Sequence, residues 1–338
     1  MAETIRLAVW NAGLTRRGPG LLLRDIEGGT DPQVGAVVRV LAALDADVLL
    51  LTGIDWDYEG AALAALADRL ARAGAPYPHR FAPRPNTGMA TGLDLDGNGR
   101  RGEPRDAQGY GRFAGAGGMA LLSRLPLGEG ARDFTAMPWR DLPGQLMPEG
   151  TDPAVAEAQR LSTTAHWDVP LALPGGGALR VLAWAATPPV FDGPEDRNGR
   201  RNHDEAAFWL RLLDGDLPGQ APPPAPYVLM GQAGLDPVDG DGRAQAIRAL
   251  LADPRLQDPA PRAAWDVPAD PGQRGDPALD TAVYPKGVGG LRVDYVLPSA
   301  GLAVTGAGVL RPAPGDALAA DAAAASRHFP VWVDLALP

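Results

Sequence analysis

Cysteine is missing from all 338 residues, which excludes disulfides, thiolate metal sites, iron–sulfur clusters and a cysteine nucleophile. Lysine occurs once, at Lys286 behind Pro285, so there is no glycine-rich phosphate loop ending in lysine. The four histidines, His79, His166, His203 and His328, form neither a His-x₃-His nor a His-Glu-x-x-His pattern, and a zinc hydrolase is not supported. None of Ser123, Ser162, Ser299 and Ser326 sits in the Gly-x-Ser-x-Gly elbow of a serine hydrolase. No apolar run reaches the roughly 20 residues that a membrane helix needs. The most apolar window, 36–51, is interrupted by Arg39, Asp45 and Asp47. Basic charge is also short, with 31 Lys and Arg against 41 Asp and Glu for a net charge of −10. Such a surface argues against sequence-blind adhesion to nucleic acid, although a local groove can still be basic.

What is present is enough for a core, since 45% of the residues are apolar. The 43 glycines and 35 prolines are spread among strand-like segments, a pattern of long structured loops. No repeat or linker divides the chain, so one domain over residues 1–338 is expected, with 218–226 and 253–277 as proline-rich surface excursions. Short apolar or alternating runs predict strands at 5–10, 47–52, 118–123, 161–169, 179–185, 227–231, 291–297, 302–309 and 329–335. A partner for 118–123 is expected near 131–134. Helical spacing predicts helices at 34–44, 61–73, 203–213 and 242–251. Many strands with few helices imply an α/β sandwich of two packed sheets flanked by helices. The opening MAETIRLAVW lacks the basic-then-apolar design of a secretory leader and reads as an added Met before a mature end.

Six short words follow one another in a characteristic order: VWNAG (9–13), DVLLLTGID (47–55), GGMALLSRLPL (117–127), YVLMGQAGLDP (227–237), LRVDYVLPS (291–299) and SRHFPVWV (326–333). They resemble the endonuclease/exonuclease/phosphatase superfamily, which includes DNase I-like nucleases and sphingomyelinase-type phosphodiesterases. NTGMATGLDLDGNGR (86–100) and TPPVFDGPEDRNGRRNHDE (187–205) look like a bacterial, usually exported branch of it. The resemblance implies a DNase I-like four-layer α/β sandwich of two mixed sheets. It also implies a secreted or periplasmic protein, with the cytoplasm as the alternative. Such enzymes hydrolyse phosphoesters with one or two Mg²⁺- or Mn²⁺-like ions held by oxygen ligands.

Carried over position by position, the resemblance retains Asn11 on the first strand, Asp294 of the Asp-Tyr word, and His328 as the final histidine. Elsewhere the chemistry has gone. Gly53 stands where the family has its metal-binding Glu, and Ala185 where it has a catalytic His. Gln232 and Gly234 replace the water-activating Asp and its companion Asn, and Arg327 replaces the Asp before the last His. Loss of a general base alone costs about 10²–10⁴ in rate. A permanently charged guanidinium near the metal position repels a divalent cation. The expectation is a catalytically degenerate protein that binds or scaffolds a phosphorylated or anionic ligand, with Asn11, Arg327 and His328 converging on the former phosphate pocket. Two alternatives stand beside it. One is a metal-dependent phosphodiesterase rebuilt from Asn11, Asp55, Asp236, Asp294 and His328; the other is a deliberately inactivated or redesigned chain. The partner is expected to be a small ligand rather than a membrane or bulk nucleic acid, and the protein a monomer.

Acidic loops add further candidates. Asp94, Asp96 and Asn98 alternate before Gly99 in a pattern that suits one structural Ca²⁺, or equally a solvated Asx turn. Asp236, Asp239 and Asp241 form a second cluster, and Asp192, Glu195, Asp196 and Asn198 a third, both read chiefly as loop ties. Arg197, Arg200 and Arg201 read as a salt-bridged loop, Asn202 as a helix cap before His203, and His166 as a structural histidine. Trp56, Trp139, Trp167 and Trp209 read as core or loop anchors.

Overall fold

In the first strand, β1 (Thr4–Leu14), Ile5, Leu7 and Val9 face one way and Ala8, Trp10, Ala12 and Leu14 the other, and all are buried. A strand that is apolar on both faces belongs between two layers. The computed structural model describes residues 4–337. The first three residues, where the added Met was expected, and the last residue lie outside that range.

Three more strands follow in the first half: β2 (Val48–Ile54), β3 (His79–Phe81) and β4 (Gly118–Ser123). The middle of the chain supplies β5 (Arg132–Asp133), β6 (Ala165–Ala172), β7 (Ala178–Ala185) and β8 (Tyr227–Gln232). The last five are β9 (Ala282–Tyr284), β10 (Gly289–Leu291), β11 (Asp294–Pro298), β12 (Ala303–Val309) and β13 (Val331–Ala336). They form a six-stranded sheet in the order β12-β13-β1-β2-β4-β3, a five-stranded sheet β11-β8-β7-β6-β5, and a ribbon of β9 and β10. Both larger sheets are mixed, with β1 parallel to β2 and β7 parallel to β8 in otherwise antiparallel arrays.

Seven helices complete the chain: α1 (Leu21–Gly28), α2 (Pro32–Leu44), α3 (Ala61–Arg72), α4 (Pro153–Ala158), α5 (Arg197–Asp214), α6 (Gln245–Ala252) and α7 (Ala319–Ala325). The start of α2 is written in its sequence: Asp31 accepts from the Val34 N–H at 2.8 Å and Pro32 occupies the first turn, where no N–H is needed. Apolar residues of α1, α2, α3 and α7 cover the outer face of the first sheet. Residues of α5 and α6 cover the outer face of the second. Between the sheets, Val9, Leu50 and Leu121 pack with Trp167, Val181 and Met230. The result is the expected four-layer α/β sandwich.

Several local expectations change. Residues 132–133 pair with β6 of the second sheet, not with 118–123, because β4 is already flanked by β2 and β3. The strand expected over 291–297 breaks at Arg292 and Val293: the Arg292 guanidinium turns to Asp258 at 2.6 Å. Helix α5 begins at Arg197, six residues before the apolar periodicity becomes visible, because its first two turns carry buried polar side chains. Asn202 is therefore inside the helix and does not cap it.

Candidate functional site

The parallel pairs β1–β2 and β7–β8 bring four strand ends to one edge of the sandwich. A cleft of about 1190 Å³ opens there, lined at its base by Asn11, Gly53, Ala185 and Gln232. Asn11 Nδ2 donates to Gln232 Oε1 across the two sheets at 2.9 Å, and the Thr52 hydroxyl donates to the same oxygen at 2.9 Å. Asn11 Oδ1 accepts from the Gly13 N–H at 3.0 Å. The base of the cleft is thus a closed network of amides and a hydroxyl.

Gly53 sits in a register shift between β2 and its neighbour, with φ +66°. A Cβ there would lie 2.3 Å from Asn11 Oδ1. Glycine alone fits this backbone without strain, so the position resists a side chain. Gly234 lies behind the cleft, its N–H donating to the Val293 carbonyl at 3.2 Å.

The remaining candidates separate. Asp294 is 1% exposed; its Oδ2 accepts from the Thr281 hydroxyl at 2.9 Å and faces His328 Nδ1 at 2.8 Å. Asp294 Oδ1 has no partner. His328 is 5% exposed, with Tyr284 Oη 3.4 Å from its Nε2. Arg327 extends over the Tyr284 ring at 5.9 Å. Of the three residues expected to converge on an anion, Asn11 alone lines the cleft: His328 is buried where 281–283 pairs with 327–329, and Arg327, although exposed, lies over Tyr284 outside the cleft lining. The rebuilt metal site does not assemble either. Asp55 accepts from the backbone N–H groups of Arg16 and Gly117 at 2.8 and 2.9 Å, and burial pushes its carboxyl above the ordinary range. Asp236 is held by the N–H groups of Val238, Asp239 and Arg292.

Among the described residues, the group of acidic side chains with ligand-like spacing is Asp94, Asp96 and Asp106. Asp106 joins the expected Asp94 and Asp96, while the Asn98 side chain donates to Asp96 and Glu103 and its oxygen accepts from Arg100 N–H. Asp94 accepts from the N–H groups of Gly97, Asn98 and Gly99, an Asx-type turn whose donors outweigh desolvation and hold its carboxyl below the usual range. The second and third clusters likewise tie loops, Asp239 to Arg274 and Asp196 to Arg243.

Beneath the cleft, α5 presents a buried polar face that sequence reading assigned elsewhere. Glu205 accepts from the N–H groups of Thr163 at 2.5 Å and Thr187 at 2.8 Å. Asn202 donates to the carbonyls of Thr187 and Ala233 at 2.6 and 2.7 Å. Arg201 donates to four carbonyls, of Gln108, Arg160, Leu161 and Ser162, and makes no salt bridge. Burial pushes Glu205 up to about 7, against the neighbouring Arg201 cation and the two N–H donors. His166, held by Ser162 and the Glu205 carbonyl, is pushed down to about 4 by burial. The available signal was the i, i+1, i+4 spacing of Arg201, Asn202 and Glu205 beside Phe208 and Trp209 on one helix face.

The model of the endonuclease/exonuclease/phosphatase family matches residues 9–328. The chain belongs to that family. Solved structures agree on the fold. An endonuclease/exonuclease/phosphatase from Beutenbergia cavernae has a TM-score of 0.57 and 19% identity over 99% of this chain and 72% of its own. The human Nocturnin catalytic domain, solved with a sulfate anion, has a TM-score of 0.51 and 14% identity, covering 99% and 95%. A mannosyl-6-phosphatase from Bacteroides thetaiotaomicron has a TM-score of 0.51 and 13% identity, covering 98% and 100%. No curated protein is a significant match.

The family generally uses Mg²⁺ or Mn²⁺. This member's residues do not fit such an ion. A hard divalent cation asks for several oxygen ligands, usually including carboxylates. The base of the cleft offers two amides already bonded to each other; Asp55 is engaged by backbone N–H groups, and Asp294, whose Oδ1 is unpartnered, lies outside the cleft lining.

Proposed function

We propose that this family member does not hydrolyse its ligand but binds a phosphorylated or otherwise anionic small molecule in the cleft. The observation that carries the reading is the amide base of Asn11 and Gln232 beneath walls that hold six arginines and three acidic residues. An amide takes no proton from water at working pH, so the general-base step has no agent at Gln232. Of the arginines, Arg16 is tied to Asp25 and Gln33, and Arg197 donates to the Leu95 carbonyl. Arg17 and Arg112 are exposed and without an ion pair among the described residues, so they are available to an anion.

The test measures turnover of a chromogenic phosphodiester with Mg²⁺ or Mn²⁺, together with melting in inorganic phosphate. The reading expects no turnover and a raised melting temperature. Metal-dependent turnover that disappears in Asp294→Ala would establish the second reading, a metal-dependent phosphodiesterase. The unpartnered Asp294 Oδ1 beside His328 is the feature that favours it.

A further inference from the structure

We propose that Tyr110 and Phe191 form a ring-stacking platform in this cleft, and that its ligand is a phosphate ester whose organic part carries a flat aromatic ring. The proposal rests on the binding reading above and adds the chemical class of the ligand.

Phe191 is 76% exposed and has φ +75°. A bulky residue in the left-handed region is strained, and an exposed phenyl ring gains nothing from burial. The conformation is nevertheless imposed from both sides. Asn198 Nδ2 donates to the Val190 carbonyl at 2.8 Å, and the Asn198 N–H donates to Asp192 Oδ2 at 2.5 Å. The α5 N-terminal turn thereby fixes both neighbours of Phe191 and holds the ring out over the cleft. Strain of this kind, enforced by surrounding structure, is characteristic of ligand sites.

Tyr110 is 60% exposed and lines the same cleft from the loop between β3 and β4. Its backbone neighbours are also held, the Gly109 N–H by the Asn86 carbonyl at 3.1 Å and the Gly111 N–H by the Pro104 carbonyl at 3.4 Å. Of the three large exposed aromatics among the described residues, Tyr58, Tyr110 and Phe191, two are in this one cavity.

The polar lining selects among ring-bearing ligands. The three carboxylates of the lining each accept a hydrogen bond within their own loop. Asp96 accepts from the Asn98 N–H and side chain, Asp192 from Asn198, and Glu195 from the Gly193 N–H. The π surface and the exposed guanidiniums of Arg17 and Arg112 suit a flat ring and a phosphate respectively. The volume, about 1190 Å³, exceeds the roughly 300–1,000 Å³ of an ordinary small-molecule pocket and leaves room for both groups.

Calorimetric titration of the full chain with adenosine monophosphate, ribose 5-phosphate and inorganic phosphate tests this. The nucleotide should bind at least about tenfold more tightly than the other two, in line with one ring stacked on an aromatic side chain. Phe191→Ala and Tyr110→Ser should each reduce that advantage and leave inorganic phosphate unaffected, while Phe191→Trp should preserve it. Arg112→Ala should weaken all three. Phe191→Gly, which relieves the positive φ, serves as a folding control and should melt no lower than the parent. Equal affinity for the three ligands, or neutral Phe191→Ala and Tyr110→Ser variants, would overturn the platform and leave the binding reading intact. Absence of binding by all three would overturn both.

Discussion

At Gly53 a backbone constraint and a side-chain contact coincide. The left-handed φ and the approach of Asn11 Oδ1 both exclude a Cβ. Gly53→Ala is expected to destabilise the protein by about 1–3 kcal/mol, with urea unfolding as the measurement; an unchanged midpoint would show that the backbone relaxes freely there. Asn202 makes a second residue-scale case. Asn202→Ala would leave the Thr187 and Ala233 carbonyls buried without donors, at a cost of about 2–3 kcal/mol in the same assay. Thr187 lines the cleft, so loosened phosphate binding should accompany that loss.

At the scale of elements, α5 organises the site from below by holding the segments at Thr163 and Thr187 through one carboxylate. That carboxylate gives the fold a pH dependence whose sign can be worked out. Glu205 titrates near 7 in the folded state against an ordinary 4.5, so its contribution is complete below 4.5 and is lost as pH rises through 7. Asp280, pushed up to about 6 by burial, acts in the same direction. His166 acts in the opposite direction: its ordinary value is 6.5 and its folded value about 4, so its contribution is present above 6.5 and lost as pH falls. Above 6.5 the Glu205 slope is the one that remains, and stability should fall with rising pH by about 1 kcal/mol. Urea midpoints on either side of pH 7 measure it. An unchanged midpoint would show that Arg201 keeps Glu205 ionised throughout.

At the scale of the molecule, the net charge of −10 and the arginine-rich cleft oppose one another. Bulk repulsion of polyanions and local attraction of a small anion can coexist because screening limits exposed charges to about 10 Å at 0.1 M salt. Phosphate at a hundredfold excess over its Kd should stabilise the fold by about 3 kcal/mol, and added salt should weaken the effect. Mg²⁺ should leave the melting temperature unchanged, since no carboxylate at the base of the cleft is available to it. A Mg²⁺-dependent rise that Asp294→Ala removes would indicate an ion site at the buried pair.

The two-faced apolar alternation of β1, the capped start of α2 and the ordered words along the chain are local properties. They determine the sandwich and the family. The strand-end places of Gly53 and Gln232 were legible because each lies in one of the ordered words, and that of Ala185 because it closes the strand expected over 179–185. Tertiary structure decided what faces the cleft. Arg327 and His328 follow Asn11 by more than 300 residues; His328 is buried against Ala282 of the β9–β10 ribbon and Arg327 lies over Tyr284, placements that no local pattern encodes. Arg201 reads as part of a salt-bridged loop and Asn202 as a helix cap because their true partners are distant backbone carbonyls, which have no sequence signature. Phe191 and Tyr110 lie in loops without periodicity, and their shared cavity exists only once the two sheets have packed.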